Sequence, residues 1–165
     1  MATEDSPLTA GSVTIAVEDP TSDDAGFCLT SYFAELGQRF DNGFDINRTL
    51  PFDTAELVEP NGLLLVARLS GAPIGCAAIK FSGTEPAYIK RMWVSSSARG
   101  LGVARRMLTE LEQLAAAHGT AVTRLETNRA LHEAIALYRS AGYRAVEPFN
   151  DEPYAHHWFE KRLAT

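Results

Sequence analysis

RMWVSSSARGLGVARRML, residues Arg91 to Leu108, joins an apolar strand-like run to three serines and then to Arg99-Gly100-Leu101-Gly102-Val103-Ala104, which opens a helical pattern. Glycine inside a helix is about 1 kcal/mol worse than alanine, so two glycines in what reads as a first turn need a reason. A helix N-terminus offers free N–H groups and the positive end of the helix dipole, and so attracts anions. Glycine lets a phosphate reach that backbone without a Cβ in the way, and an arginine just before it adds a charge with bidentate reach. The hexapeptide therefore fits a phosphate cradle, and it equally fits a tight turn against the neighbouring strand. It is not a dinucleotide fingerprint, which needs Gly-x-Gly-x-x-Gly with an acid about 20 residues on. Nor is it the Gly-Lys-Ser/Thr loop of a nucleoside triphosphatase.

Working outward, the strand before the serines covers Ala87 to Val94 (AYIKRMWV), and the helix after them runs from Leu101 to His118. Ala104, Met107, Leu108, Leu111, Leu114 and Ala115 form its apolar face, and Gly119 stands where a C-cap glycine belongs. Upstream, Ser12 to Glu18 alternates as a strand and Asp19-Pro20 ends it. Asp23 and Asp24 cap a helix reaching about Phe40, with Leu29, Phe33, Leu36 and Phe40 on one stripe. A short helical or irregular piece spans Asp53 to Glu59. Gly62 to Leu69 and Ile74 to Phe81 flank Ser70-Gly71-Ala72-Pro73 and read as a hairpin. Downstream come a strand at Thr123 to Thr127 and a helix from Ala130 to Ala141 striped by Leu131, Ala134, Ile135 and Tyr138. Two last strands follow, Tyr143 to Phe149 and Ala155 to Leu163. Strands that come first in hairpins and then alternate with helices predict one mixed sheet covered by helices.

The 165 residues suit a single domain over about 13–165, with residues 1–12 as a flexible tail. Hydrophobic residues are 45% and charged residues 22%, an ordinary globular balance that argues against disorder. Fifteen Lys and Arg against 21 Asp and Glu leave a net charge of -6, and no basic run stands out, so nucleic acid is not an expected partner. No stretch has the ~20 apolar residues of a membrane span. The acid-bearing N-terminus does not read as a signal peptide. Cys28 and Cys76 lack CxxC spacing and read as buried free thiols of a reducing cytoplasm. His156-His157 would point to opposite faces of a strand, so no metal site is expected.

Arg99-x-x-Gly102-x-Ala104 resembles the Arg/Gln-x-x-Gly-x-Gly/Ala signature of the GNAT superfamily of acetyl-CoA-dependent N-acetyltransferases. Its flanks agree. Arg91-Met92-Trp93-Val94 looks like the family's fourth strand, Leu125 to Tyr143 (LETNRALHEAIALYRSAGY) like its strand-five to helix-four segment, and HHWFEKRL like the last strand of many bacterial members. The resemblance spans about residues 13–163. It implies a mixed, mostly antiparallel seven-stranded sheet flanked by about four helices, with acetyl-CoA as co-substrate. It also implies that backbone amides from Arg99, Gly100, Leu101, Gly102, Val103 and Ala104 hold the pyrophosphate. Main-chain groups of Met92, Trp93 and Val94 would bind the pantetheine arm, and Asn128 corresponds to an asparagine that often contacts the cofactor.

For the chemistry, the resemblance points to Tyr138 in Leu137-Tyr138-Arg139-Ser140-Ala141-Gly142-Tyr143, matching a family tyrosine placed near the thioester sulfur. A phenol there donates a proton to the departing thiolate or hydrogen-bonds its developing charge. Tyr138 also completes an apolar stripe and fits a purely packed residue. Some members carry a basic glutamate on strand four, where Tyr88 stands here, and a phenol is not a base near neutral pH. Glu126 shares a strand face with Arg124 and Asn128 and is the substitute candidate; an ion pair with Arg124 or Arg91 is its alternative reading. By resemblance, acceptor specificity falls to Ser31–Asp45 and Asn150–Trp158, with Tyr32, Phe33, Glu35, Phe40, Tyr154 and Trp158 as candidates. Acids among aromatics suit a cationic amine, whether a small molecule or a peptide. The expected activity is acetyl transfer to a primary amine by direct attack, since neither cysteine has a paired histidine. A non-catalytic acyl-CoA-binding module is the rival, and homodimerisation is a property the family allows.

Overall fold

The computed structural model describes residues 12–83 and 85–163; of the expected tail, all but Ser12 lies outside them. In chain order the elements are β1 (Val13–Glu18), α1 (Asp23–Arg39), β2 (Gly62–Leu69), β3 (Ala72–Ser82), β4 (Glu85–Val94), α2 (Val103–Ala117), β5 (Val122–Thr127), α3 (His132–Ser140), β6 (Arg144–Ala145) and β7 (His157–Arg162). Single 3₁₀ turns at Thr54–Glu56 and Ser96–Ala98 join these three α-helices among the described residues, near the four helices expected. No helix among the described residues is long and apolar enough to cross a membrane.

The seven strands form one sheet in the order β1-β2-β3-β4-β5-β7-β6, antiparallel everywhere except between β4 and β5. Ser70 and Gly71, both at positive φ (51° and 85°), close the β2–β3 hairpin between paired Leu69 and Ala72. That is the primed two-residue turn whose twist matches the strands. The run GLLLVARL lacks clean alternation because β2 is buried on both faces. Leu63, Leu65, Ile79 and Ile89 pack with Met107, Leu108 and Leu111 of α2. Leu64, Val66, Cys76 and Ala78 pack with Ala25, Cys28 and Leu29 of α1. Both cysteines are free and buried, as expected. The expected strand from Tyr143 to Phe149 is shorter, with ladder pairing to β7 only at Arg144 and Ala145. Pro148, three residues on, has no N–H to donate and cannot extend the ladder.

Two irregularities open the sheet. In β4, Lys90 pairs with Ala78 and Trp93 with Cys76, so Arg91 and Met92 both face the single residue Ala77. Arg91 takes φ +60° to make this bulge. On the other side, β4 pairs with β5 only at Ala87–Thr123 and Tyr88–Arg124. Beyond Tyr88 the two parallel strands part, and a wedge opens toward their C-terminal ends.

Candidate active site

The glycines of the opening motif lie just ahead of α2, not within its first turn. Gly102 is the N-cap residue at φ +73° and Gly100 sits at φ +88°. The helix penalty therefore does not apply; what these positions demand is the left-handed backbone that glycine adopts freely. A Cβ built on either meets no atom within 4 Å, so protein crowding does not select glycine here. The empty space belongs to a cleft. α1 is capped by the Ser22 hydroxyl, 3.1 Å from Ala25 N–H, and carries Asp23 and Asp24 in its first turn. α2 has neither a side-chain cap nor an acid in its first turn, so its first amides and its positive pole are left for an outside anion. These residues fit a pyrophosphate.

The cleft holds about 380 Å³. Met92, Trp93 and Val94 form one wall, Arg99 to Ala104 another without Leu101, and α1 and the start of α3 complete it. Leu101 packs onto the core instead. Trp93 and Val94 pair with Cys76 and Gly75 on the β3 side, but past Tyr88 the β5 side of β4 has no strand partner. This free edge can take an extended chain of amides as an added strand. The indole of Trp93 is turned to the α1 layer, edge-on to Phe27 at 6.3 Å.

Glu35 departs from expectation. Expected among the acceptor-side residues, it lines this cleft instead, and its carboxylate pairs with Arg99 and lies 3.8 Å from Arg39. The chain thus neutralises Arg99 itself, and a phosphate at Arg99 would compete with Glu35. Partly exposed ion pairs contribute roughly 0.2–1 kcal/mol. Glu35→Gln is accordingly expected to tighten acetyl-CoA binding roughly two- to fivefold, read by calorimetric titration.

A smaller cavity of about 80 Å³ adjoins the cleft and shares Tyr32, Leu36 and Leu131 with it. Phe33, Phe40 and Tyr154 line it, joined by Phe44, which stacks on Phe33 at 5.6 Å and leans on Tyr154 at 4.9 Å. Asn128 lines this cavity and not the cleft. Its Nδ2 donates to the Tyr154 carbonyl (2.7 Å) and its Oδ1 accepts from Ala130 N–H (2.8 Å), so its amide ties β5 to the loop before β7. Trp158 lines neither space. Its Nε1 donates to Asn150 Oδ1 (3.0 Å), and Asn150 Nδ2 lies 3.4 Å from the Tyr88 hydroxyl.

That chain ends on Glu126, whose side chain is 4% exposed at the wall of the small cavity. The Tyr88 hydroxyl donates to Glu126 Oε1, and Lys90 Nζ stands 3.8 Å from it. Glu126 Oε2 has no partner among the described residues and is closed to solvent. Neither ion pair expected for Glu126 forms, and the Arg124 guanidinium lies over the Phe149 ring at 4.4 Å. Burial raises the Glu126 carboxyl above the ordinary range, against the opposing pull of Tyr88 and Lys90. Burial also pushes the Tyr88 phenol far above its usual range, so Tyr88 keeps its proton and serves as a donor.

Tyr138 lies on α3 behind Leu131, Ala134 and Leu137, which line the cleft. Its ring packs on Tyr143 (5.9 Å) and Phe159 (6.2 Å). Its hydroxyl bonds to no other described residue. Burial, and next the nearby Tyr32 and Glu126, hold its phenol well above the usual range. Lys90 and Arg91 were missed as site residues. Simple alternation sends neighbours to opposite faces, yet the bulge brings both against the Phe52 ring, at 5.3 and 5.0 Å. Among the described residues no group of three or more His, Cys, Asp or Glu is placed to hold a metal ion.

Residues 29–143 match the family model described as the acetyltransferase (GNAT) family. The chain belongs to that family. It is 36% identical over 144 residues to an IAA acetyltransferase of Azospirillum brasilense, covering 86% of this chain and 90% of the relative. It is 31% identical over 149 residues to the N-alpha-acetyltransferase RimI of Mycobacterium tuberculosis, covering 88% and 84%. A GNAT acetyltransferase of Elizabethkingia anophelis, solved with acetyl-CoA bound, shares the fold at a TM-score of 0.62 and 15% identity, over 92% of this chain and 99% of that one. This GNAT protein is an acetyl-CoA-dependent acyltransferase, and the cleft between β4 and α2 is where its residues suit that co-substrate.

Proposed function

We propose that this GNAT enzyme transfers the acetyl group to an amine by direct attack, with Glu126 as general base and Tyr138 as hydrogen-bond donor to the leaving sulfur. The observation that carries the reading is the buried Glu126, its Oε2 unpartnered among the described residues, on the wall of a cavity that meets the cleft at Tyr32, Leu36 and Leu131. An acceptor amine reaches the enzyme largely as ammonium and must lose a proton before it attacks. A carboxylate with one oxygen free, and a pKa lifted toward neutrality by burial, suits that task. Tyr88, held by Asn150, fixes the other oxygen. When bound, acetyl-CoA supplies the thioester whose carbon–sulfur bond breaks. Tyr138 holds its proton more tightly than a free phenol, whose pKa is about 10 against about 8.5 for a thiol. Full proton transfer to a thiolate is then uphill, so Tyr138 stabilises the developing charge by hydrogen bonding. Tyr32, Phe33, Phe40 and Tyr154 shape the acceptor side.

The test is a panel of primary amines, followed by the pH profile of kcat/KM for the native chain and Glu126→Gln. The native profile is expected to fall on the acid side, with a midpoint above the ordinary carboxylate range. Glu126→Gln is expected to lose roughly a hundredfold or more in rate and to lose that limb, with acetyl-CoA affinity retained. A limb that persists unchanged in Glu126→Gln removes Glu126 as the base. Stability gives an independent sign. A carboxyl whose folded pKa is raised contributes most below its unfolded pKa, and that contribution is lost as pH rises through the folded value. Glu126→Gln is thus expected to melt higher than the native chain at pH 7, and the gap is expected to narrow toward pH 4.

A further inference from the structure

Arg91 is more than nine-tenths buried, at 8% exposure, and lines the acceptor cavity. Its guanidinium lies over the rings of Phe33 (4.8 Å) and Phe52 (5.0 Å). One Nη2 donates to the Phe52 carbonyl at 3.3 Å. Among the described residues no carboxylate comes within 4 Å of it, and the guanidinium has no other hydrogen-bond acceptor there. A buried guanidinium carries five donors and normally finds an anion, since an unpaired buried charge is strongly unfavourable.

The acids of this cavity have other partners. Glu126 stands with Lys90 and Tyr88. Glu152, 7% exposed, accepts from the Thr49 hydroxyl and from Leu50 N–H at 2.8 Å. Both carboxylates thus have partners of their own, and neither forms an ion pair with Arg91.

Resting on the proposed amine acetylation, we infer that Arg91 binds a carboxylate of the acceptor, so that the substrate is an amino acid with its amine at Glu126 and its carboxylate at Arg91. A simple monoamine leaves Arg91 uncompensated. A dianionic phosphate in place of the carboxylate leaves an excess negative charge beside two glutamates. An ammonium with one carboxylate adds no net charge to the cavity and gives Arg91 an anion. Phe33, Phe44 and Tyr154, packed on one another, give the cavity an aromatic wall against which an apolar side chain can lie. The cavity alone, at about 80 Å³, suits the small zwitterionic head of such a molecule.

The experiment pairs each of a set of apolar L-amino acids with the amine that lacks its carboxylate, beginning with L-phenylalanine and phenethylamine, and adds phosphoethanolamine as a phosphate-bearing amine. Binding to the CoA complex is titrated calorimetrically, and acetyl transfer is measured separately, for the native chain, Arg91→Gln and Arg91→Lys. At least one amino acid is expected to bind the native complex roughly tenfold to a hundredfold more tightly than its decarboxylated partner. In Arg91→Gln that ratio is expected to fall to near one, with partial recovery in Arg91→Lys and unchanged CoA affinity as the sign of an intact fold. Equal binding of acid and amine by the native chain, preference for phosphoethanolamine, no saturable binding of any amino acid, or an unchanged ratio in Arg91→Gln each overturns the inference. Acetylation of amines without carboxylate preference leaves the proposed function standing and removes only this specificity. Tight amino-acid binding without transfer does the reverse.

Discussion

Tyr138→Phe is expected to lower kcat by roughly a hundredfold, within the range for a lost proton donor or hydrogen bond to developing charge, while acetyl-CoA affinity changes little. The substitution is unusually clean. The Tyr138 hydroxyl bonds to no other described residue, so its removal strands no buried partner, and the ring contacts with Tyr143 and Phe159 survive in phenylalanine. A packing role therefore predicts a folded variant with native turnover, and a catalytic role predicts a folded variant that is slow. Steady-state rates, with calorimetric acetyl-CoA titration and a melting curve, separate the two. Native kcat in Tyr138→Phe would assign the residue to the core alone. Tyr143 serves as contrast. Its hydroxyl is paired with Thr123 Oγ1 and Glu112 Oε2, both at 2.8 Å, so its removal acts on stability.

Gly102→Val is expected to weaken acetyl-CoA binding roughly ten- to hundredfold, the equivalent of losing one charge-assisted hydrogen bond to phosphate. Valine at φ +73° strains the backbone by about 1–2 kcal/mol, and its Cβ projects into space that holds no protein atom. Strain alone would also lower affinity if it loosened α2, so a second substitution controls for it. Gly119 follows the same helix at φ +92°, likewise with no atom near a built Cβ, and does not line the cleft. Gly119→Val is expected to match the loss in melting temperature and to leave acetyl-CoA binding intact. Equal affinity losses in both variants would reduce Gly102 to turn geometry. A loss confined to Gly102→Val assigns the open space to the ligand.

The two glycines show what kind of information a linear chain carries. Their reading depends on φ, on the helix that follows and on the absence of an acid in its first turn, all local properties. For the same reason the Ser70-Gly71 hairpin, the stripes of α1 and α2, and the continuous apolar run of β2 were legible before any contact was known. Hydrophobic period and turn chemistry act over a few residues. The family resemblance grouped Tyr32, Phe33, Phe40 and Tyr154, which the fold brings around one small cavity.

The acid chemistry was not legible in this way. Glu126 meets Tyr88 from 38 positions away and Arg99 meets Glu35 from 64; either carboxylate has other cations it could reach in an unfolded chain. Which one it finds is decided by strand register and by the separation of β4 from β5. The bulge at Arg91 is the sharpest instance. Period-two alternation predicts Lys90 and Arg91 on opposite faces, and one residue's left-handed φ brings both to the small cavity. Local preferences thus set the elements and the glycine turn ahead of α2. The ionisation and pairing of groups around the small cavity belong to the tertiary structure, because electrostatics in a buried site depends on distances that sequence separation does not encode.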